Sequence, residues 1–291
     1  MKTAVNAVWL MLVSVAVLPS LQADLLLVDC SSGPFQTIQS AINAANPGDE
    51  IVVMPCVYHE SIDFLGKAIT VRSHAGAAKT TIDASGLQSA VVKCVSGETN
   101  ATRLIGFTIT GGTGNDGGGM FNSGSSPSVI NCIFYKNHAS DGGGMENQGG
   151  SNSLVINCLF YDNHAEFGLN PDGGGMRNVG SNPKIINCTF WRNSAVLSGG
   201  GIANYSSDPT ITNCIVWNNT DSTGGGEQAQ IFNQGSTPVV TFSCIMGCSS
   251  FCADPNNRNI SADPRFVDPP TIFRLSCDSP CIDVGDSAAV P

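Results

Sequence analysis

Val129-Ile130-Asn131-Cys132-Ile133-Phe134-Tyr135-Lys136-Asn137 decides the fold, because it recurs. VINCLFYDN follows from Val155, IINCTFWRN from Ile185 and ITNCIVWNN from Ile211, all aligned without gaps. Their cysteines are Cys132, Cys158, Cys188 and Cys214, and Cys244 continues the series in a weaker copy, at spacings of 26, 30, 26 and 30 residues. A second motif interleaves: GGGMFN from Gly117, GGGMEN from Gly142, GGGMRN from Gly173 and GGGIAN from Gly199. Self-similarity at such a period marks a repeat architecture. Each unit holds three short β-prone pieces divided by Gly, Asn, Ser or Pro, with no room for a helix-length apolar stripe. A helical solenoid is therefore excluded, and a four-stranded propeller blade needs more residues and hairpin turns. One turn of a parallel β-helix fits, each coil adding a rung about 4.8 Å above the last.

The columns give the register. Val129, Val155, Ile185 and Ile211 are all β-branched and are expected to point inward, as are Phe134, Phe160, Phe190 and Val216. Asn131, Asn157, Asn187 and Asn213 mark a bend, since Asn tolerates positive φ and Gly106 takes the equivalent place in LIGFTITGG. The cysteines then fall inside, where Phe107 stands one coil earlier. Metal binding or redox chemistry is the functional reading of that ladder. Small, inert, buried thiols are the favoured one, because side chains on stacked rungs run parallel and meet poorly for a bridge. Two asparagine columns, Asn137/Asn163/Asn193/Asn219 and Asn122/Asn147/Asn178/Asn204, are expected to stack their amides from rung to rung.

The ends differ from the repeat. Residues 35–46 have apolar positions at helical spacing and stop at Pro47-Gly48-Asp49, which predicts a short helix capping the first coil before a strand at Glu50-Ile51-Val52-Val53. The coil region is placed at 24–250 and an irregular, Pro- and Asp-rich segment at 251–291. Disulfides are expected among Cys248, Cys252, Cys277 and Cys281, with three pairings open. Lys2, the apolar run from Ala7 to Leu18 and Leu21-Gln22-Ala23 predict a signal peptide over 1–23 and hence an extracellular or cell-surface protein. No second apolar run is long enough for a membrane span.

Composition narrows function further. The 291 residues are 12% charged and 42% hydrophobic, which excludes a disordered chain, and the net charge of −10 argues against nucleic acid and anionic membranes as partners. The outer column Tyr135, Tyr161, Trp191, Trp217 is expected to present rings outward at rung spacing, suited to stacking on sugars or a partner protein. A self-stacking ladder covered by a loop is the alternative. Asp116, Asp141 and Asp172 each precede a Gly-Gly-Gly. Stacked carboxylates would call for a cation, calcium being one, while turn-capping aspartates separated by solvent are the simpler reading. Lys136, Asp162, Arg192 and Asn218 alternate in sign, as do Glu146 and Arg177, and are expected to pair across rungs. His138 and His164 are read as solvated turn residues. No Gly-His-Gly motif or cluster of acids of the polygalacturonase kind occurs.

QTIQSAI from Gln36, GKAITVRS from Gly66, LIGFTITGG from Leu104, the GGGM…NC coils and the closing ADPRFVDP…FRLSCDSPCIDVGD together resemble exported right-handed β-helix repeat proteins of planctomycete-type bacteria. The coils are also similar to chlamydial polymorphic membrane proteins, in the Gly-Gly-rich motif and in FxxN at Phe134–Asn137, Phe160–Asn163 and Phe190–Asn193. The resemblance implies a secreted or surface protein, and a closing segment that begins a module preceding a sorting signal. The rest of that module does not appear before Pro291, so a truncated or differently anchored protein is the expectation. Three functions follow in order: a non-enzymatic glycan- or surface-binding β-helix, a structural envelope component, and a polysaccharide lyase or hydrolase of the pectate-lyase-like superfold.

Overall fold

A computed structural model describes residues 23–169, 171–268 and 273–289. The expected signal peptide lies almost entirely outside the described residues. Within them the chain winds as a right-handed parallel β-helix of about eight turns. Three long sheets run its length, with nine, eight and seven strands among the described residues. A representative coil starts at Ser128–Ile130 in the first sheet and bends at Asn131 into Ile133–Tyr135 of the second. It then adds His138–Ala139 in a short three-stranded sheet, passes the glycine turn and enters Met145–Gln148 of the third. Leu154–Ile156 begins the next coil directly over Ser128–Ile130.

The bends are where the sequence placed them. Asn131, Asn157, Asn187 and Asn213 have φ of 55°, 53°, 55° and 57°, and Gly106 has 77°. A second left-handed bend, at Lys136, Asp162, Arg192 and Asn218, follows the second sheet. Nothing in those four side chains favours left-handed backbone except in Asp162 and Asn218, so the local preference is overridden by the closure of the coil.

The core is a set of stacks. Phe134, Phe160 and Phe190 lie face to face at 4.5 and 4.6 Å. Beside them run Val129, Val155, Ile185 and Ile211, and Met120, Met145, Met176 and Ile202, all fully buried. Cys132, Cys158, Cys188 and Cys214 are buried thiols, and each Sγ donates to the carbonyl two residues earlier at 3.3–3.4 Å. Burial pushes the Cys158 and Cys214 thiols well up, away from thiolate. Asn163 shows how the polar ladder is satisfied: its Nδ2 donates to Asn193 Oδ1 at 2.9 Å and to Phe134 O at 2.9 Å, while its Oδ1 accepts from Asn137 Nδ2 at 3.0 Å. Every such amide joins three coils, which is the physical reason for its repetition.

At the N-terminal end the helix Ile38–Ala44, capped by Thr37, buries Ile38, Ala41 and Ile42 over the first coil. The edge strand Leu25–Val28 pairs with Glu50–Val53 beneath it. A disulfide that the sequence left unread, Cys30–Cys56, ties that strand to the coil. At the other end Cys248 pairs with Cys252, one of the open possibilities, whereas Cys277 and Cys281 are free thiols. The segment after Phe251 carries two short 3-10 turns and an antiparallel pair, Phe266–Val267 with Arg274–Leu275. Cys244 still bridges Ile260 in parallel, so this segment starts by sealing the last rung.

Candidate functional site

The second sheet aligns Tyr135, Tyr161, Trp191 and Trp217 in register, on the face opposite the phenylalanine stack. Strand alternation turns their rings outward, as the sequence requires. The centre of this ladder is not open, however. Tyr135 and Tyr161 stack at 4.2 Å, and Phe273 of the closing segment then inserts, 5.0 Å from Tyr161 and 5.3 Å from Trp191. Trp191 is only 8% exposed as a result. Burial pushes the Tyr161 hydroxyl up to about 12. At its centre the ladder is the self-stacking, loop-covered alternative and not a continuous exposed ribbon: covering it removes apolar ring surface from water, and Phe273 and Phe266 supply the cover.

Beyond Phe273 the cover lifts. Trp191, Trp217 and Asn218 of the coil and Asp263, Pro264, Arg265 and Phe266 of the closing segment line a cleft of about 310 Å³. Trp217 is half-buried, while Asn218, Asp263 and Arg265 are exposed. Arg265 is steadied by Asp278, Nη1 to Oδ2 at 2.6 Å, and its N–H donates to Asp263 Oδ1 at 2.9 Å. Apolar indole surface thus shares a space about the size of a small ligand with a guanidinium, a carboxylate and an amide. Repeat reasoning could not supply Asp263, Arg265 or Phe266, since they lie outside the repeat and reach the ladder only through the fold.

The aspartate column sits elsewhere, at the entrance to the third sheet. Asp116 and Asp141 bridge in parallel, and Asp172 bridges Ser198. Asp172 is not turned to solvent as a turn-capping aspartate would be. Asp172 is buried and accepts from the Tyr205 hydroxyl at 2.5 Å. Arg177 lies between rungs, Nη1 donating to Glu146 Oε1 at 2.8 Å and Nε 3.7 Å from Asp141 Oδ1, with its guanidinium 5.3 Å from the Tyr205 ring. The pairing of Glu146 with Arg177 is the one the charge alternation predicts. Burial pushes Glu146 up to about 7 despite Arg177, and raises Asp141 and Asp172 as well. Glu146 Oε2, Asp141 Oδ1 and Asp172 Oδ1 have no hydrogen-bond partner. Among the described residues no group of three or more His, Cys, Asp or Glu side chains is arranged to hold a metal ion.

The histidines also depart from expectation. His138 and His164 are strand residues, stacked at 4.9 Å and half-buried. His138 Nδ1 meets Glu166 at 2.6 Å and His164 Nδ1 meets Ser194 at 2.7 Å. The short strand added in three of the coils is not legible in the sequence, and it is this strand that draws them out of the turn. Arg192 lies 3.6 Å from Asp162, completing the second alternating pair, while Lys136 sits over the Tyr135 ring at 5.0 Å.

These features define a β-helix of the pectate-lyase-like class, with an aromatic outer face and a polar closing segment folded onto it. The chain belongs to the family described as Pel9A-like, right-handed β-helix region, which matches residues 27–232. Among solved structures, pectate lyase Pel9A superposes with a TM-score of 0.52 at 15% identity, covering 94% of each chain. Pectin methylesterase from carrot gives 0.48 at 14% identity over 84% of this chain and 79% of that one. Pectin methylesterase from Aspergillus niger gives 0.47 at 14% identity over 76% and 75%. The likeness to Pel9A shows the fold. Comparison with curated proteins returns no match.

Proposed function

We propose that this chain is a secreted or cell-surface carbohydrate-binding β-helix, non-enzymatic, which holds one sugar residue of an extracellular glycan between Trp217 and Arg265. The supporting observation is the cleft of about 310 Å³ that Trp191 and Trp217 line together with Asn218, Asp263 and Arg265. An indole face accepts the C–H face of a pyranose, and the opposing polar groups satisfy its hydroxyls. Phe273 blocks the ladder toward Tyr161, so the cleft fits a chain end or a single branch residue and not a chain running the length of the ladder.

The test is a glycan array that includes oligogalacturonides and neutral plant and bacterial oligosaccharides. It is followed by tryptophan fluorescence titration with each glycan retained. The expected result is binding by the natural sequence and loss of about tenfold or more in affinity for Trp217→Ala. Retention of affinity in that variant, or no binding to any glycan, overturns the proposal.

A second reading is polysaccharide cleavage, the activity named for pectate lyase Pel9A. What favours it is Glu146, an acid held near neutrality beside Arg177, as general acid–base chemistry requires. Its complete burial weighs against contact with a polymer. Product release from polygalacturonate, lost in Glu146→Gln, is the result that would move the assignment to this reading.

A further inference from the structure

The inner thiol column ends at Cys244, where the coil stops and the closing segment takes over. Among the described residues no further repeat strand follows Cys244, which is met only by the isolated bridge to Ile260. Its Sγ donates to Ala262 O at 3.0 Å, and Cys281 of the closing segment is brought beside it. Both face a cavity of about 260 Å³, shared with Cys214, Leu275 and Val284. Cys281 arrives on a turn of the closing segment, unlike the other thiols near the column, which sit on stacked rungs with parallel side chains. Its approach is fixed in register by three contacts. Ser279 Oγ donates to Pro264 O at 2.6 Å, Cys281 N donates to Ser279 Oγ at 3.1 Å, and the Asn213 amide brackets the Asp286 backbone at 2.9 and 2.7 Å.

We infer that Cys244 and Cys281 are a redox clasp that joins the last rung of the β-helix covalently to the segment carrying Arg265 and Phe273. The two thiols differ in a way that suits the chemistry. Cys281 is half-buried, and its neighbour Cys244 together with Ser279 holds its thiol below the usual range, whereas Cys244 is buried and pushed up by Cys281 and by that burial. Cys281 is therefore the first nucleophile. Its thiolate attacks a low-molecular-weight disulfide such as oxidised glutathione, forming a mixed disulfide and releasing one thiolate. Cys244 then loses its proton and attacks the Cys281 sulfur, and the second glutathione leaves as thiolate. The two protons pass to the two leaving thiolates, so two cysteines are oxidised and one small disulfide is reduced to two thiols. Cys277, exposed and four positions earlier, is the competing partner for Cys281.

The clasp does not depend on what the cleft binds. The full chain is equilibrated in oxidised glutathione or in dithiothreitol, alkylated with iodoacetamide while folded, and mapped by trypsin without reduction. The same is done with Cys277→Ser. The expected result is a Cys244–Cys281 link in the oxidised protein, retained in Cys277→Ser. Cleavage after Arg274 is expected to be slower by about tenfold or more than in the reduced protein, because the link removes local opening of the segment. Cys281→Ser is expected to cleave at the reduced rate under both conditions. Alkylation of Cys281 in the oxidised natural sequence, or its linkage to Cys277, overturns the inference.

Discussion

Phe273 meets Trp191 edge-on, 5.3 Å between ring centroids and 79° between planes, so a residue of the irregular closing segment completes an aromatic stack begun by the repeat. The stack is one of the contacts that hold that segment against the coil, beside the Asn213–Asp286 hydrogen bonds.

Phe273→Ala removes that wedge. The expected loss is about 3 kcal/mol in the stability of the docked segment. Trp191 emission should shift to the red as water reaches its ring, and trypsin should cut faster after Arg265 and Arg274. Trp191 and Trp217 are the only tryptophans besides Trp9, so a fluorescence change on this substitution is readily assigned. An unshifted spectrum would show that the segment is held without the ring.

Stability should fall between about pH 4.5 and 7. Burial raises Glu146 from 4.5 to about 7, so the folded state holds its proton more tightly than the unfolded chain does. The stabilisation is complete below 4.5 and is lost as the pH rises through about 7. Asp141 and Asp172, also raised by burial, act with the same sign. Over that window the Glu146 contribution is on the order of 3 kcal/mol. Denaturant midpoints measured across it should decline, and Glu146→Gln should flatten the decline. A natural sequence that gains stability over this interval contradicts the assignment.

Calcium is expected to leave the melting temperature unchanged. Arg177 already brings a positive charge to Asp141 and Glu146, and Tyr205 donates to Asp172. A rise in Tm with millimolar calcium, abolished in Asp141→Asn, would restore the metal reading of Asp116, Asp141 and Asp172.

Substitutions at two backbone positions separate the roles of the bend and the glycine turn. Asn157 is exposed with φ of 53°, so Asn157→Gly should be neutral and Asn157→Val should cost about 1–2 kcal/mol. Gly143 has no such freedom to exchange: a Cβ there would stand 2.6 Å from both Gly174 O and His164 O on the rung above. Gly143→Ala should therefore cost about 3 kcal/mol or more by thermal or denaturant unfolding.

The columns were legible in the sequence because a parallel β-helix places each repeat directly on the last. A residue's chemistry then has to satisfy the same residue one coil away. Asn163 must be Asn because Asn137 and Asn193 lie below and above it, and Phe160 stacks because Phe134 and Phe190 do. The fold, the inward and outward faces, the left-handed bend at Asn157 and the Glu146–Arg177 pair all follow from that one-dimensional periodicity. What the periodicity does not carry is whatever comes from outside it. Phe273, Arg265 and Cys281 reach Trp191, Trp217 and Cys244 by a path with no repeat. The short strand at His138–Ala139 and the burial of Asp172 depend on how neighbouring loops close over the sheet. Local pattern sets which way a side chain points from its own rung. Only the tertiary structure decides what covers it, because cover is a matter of surfaces meeting across sequence separations that pattern does not constrain.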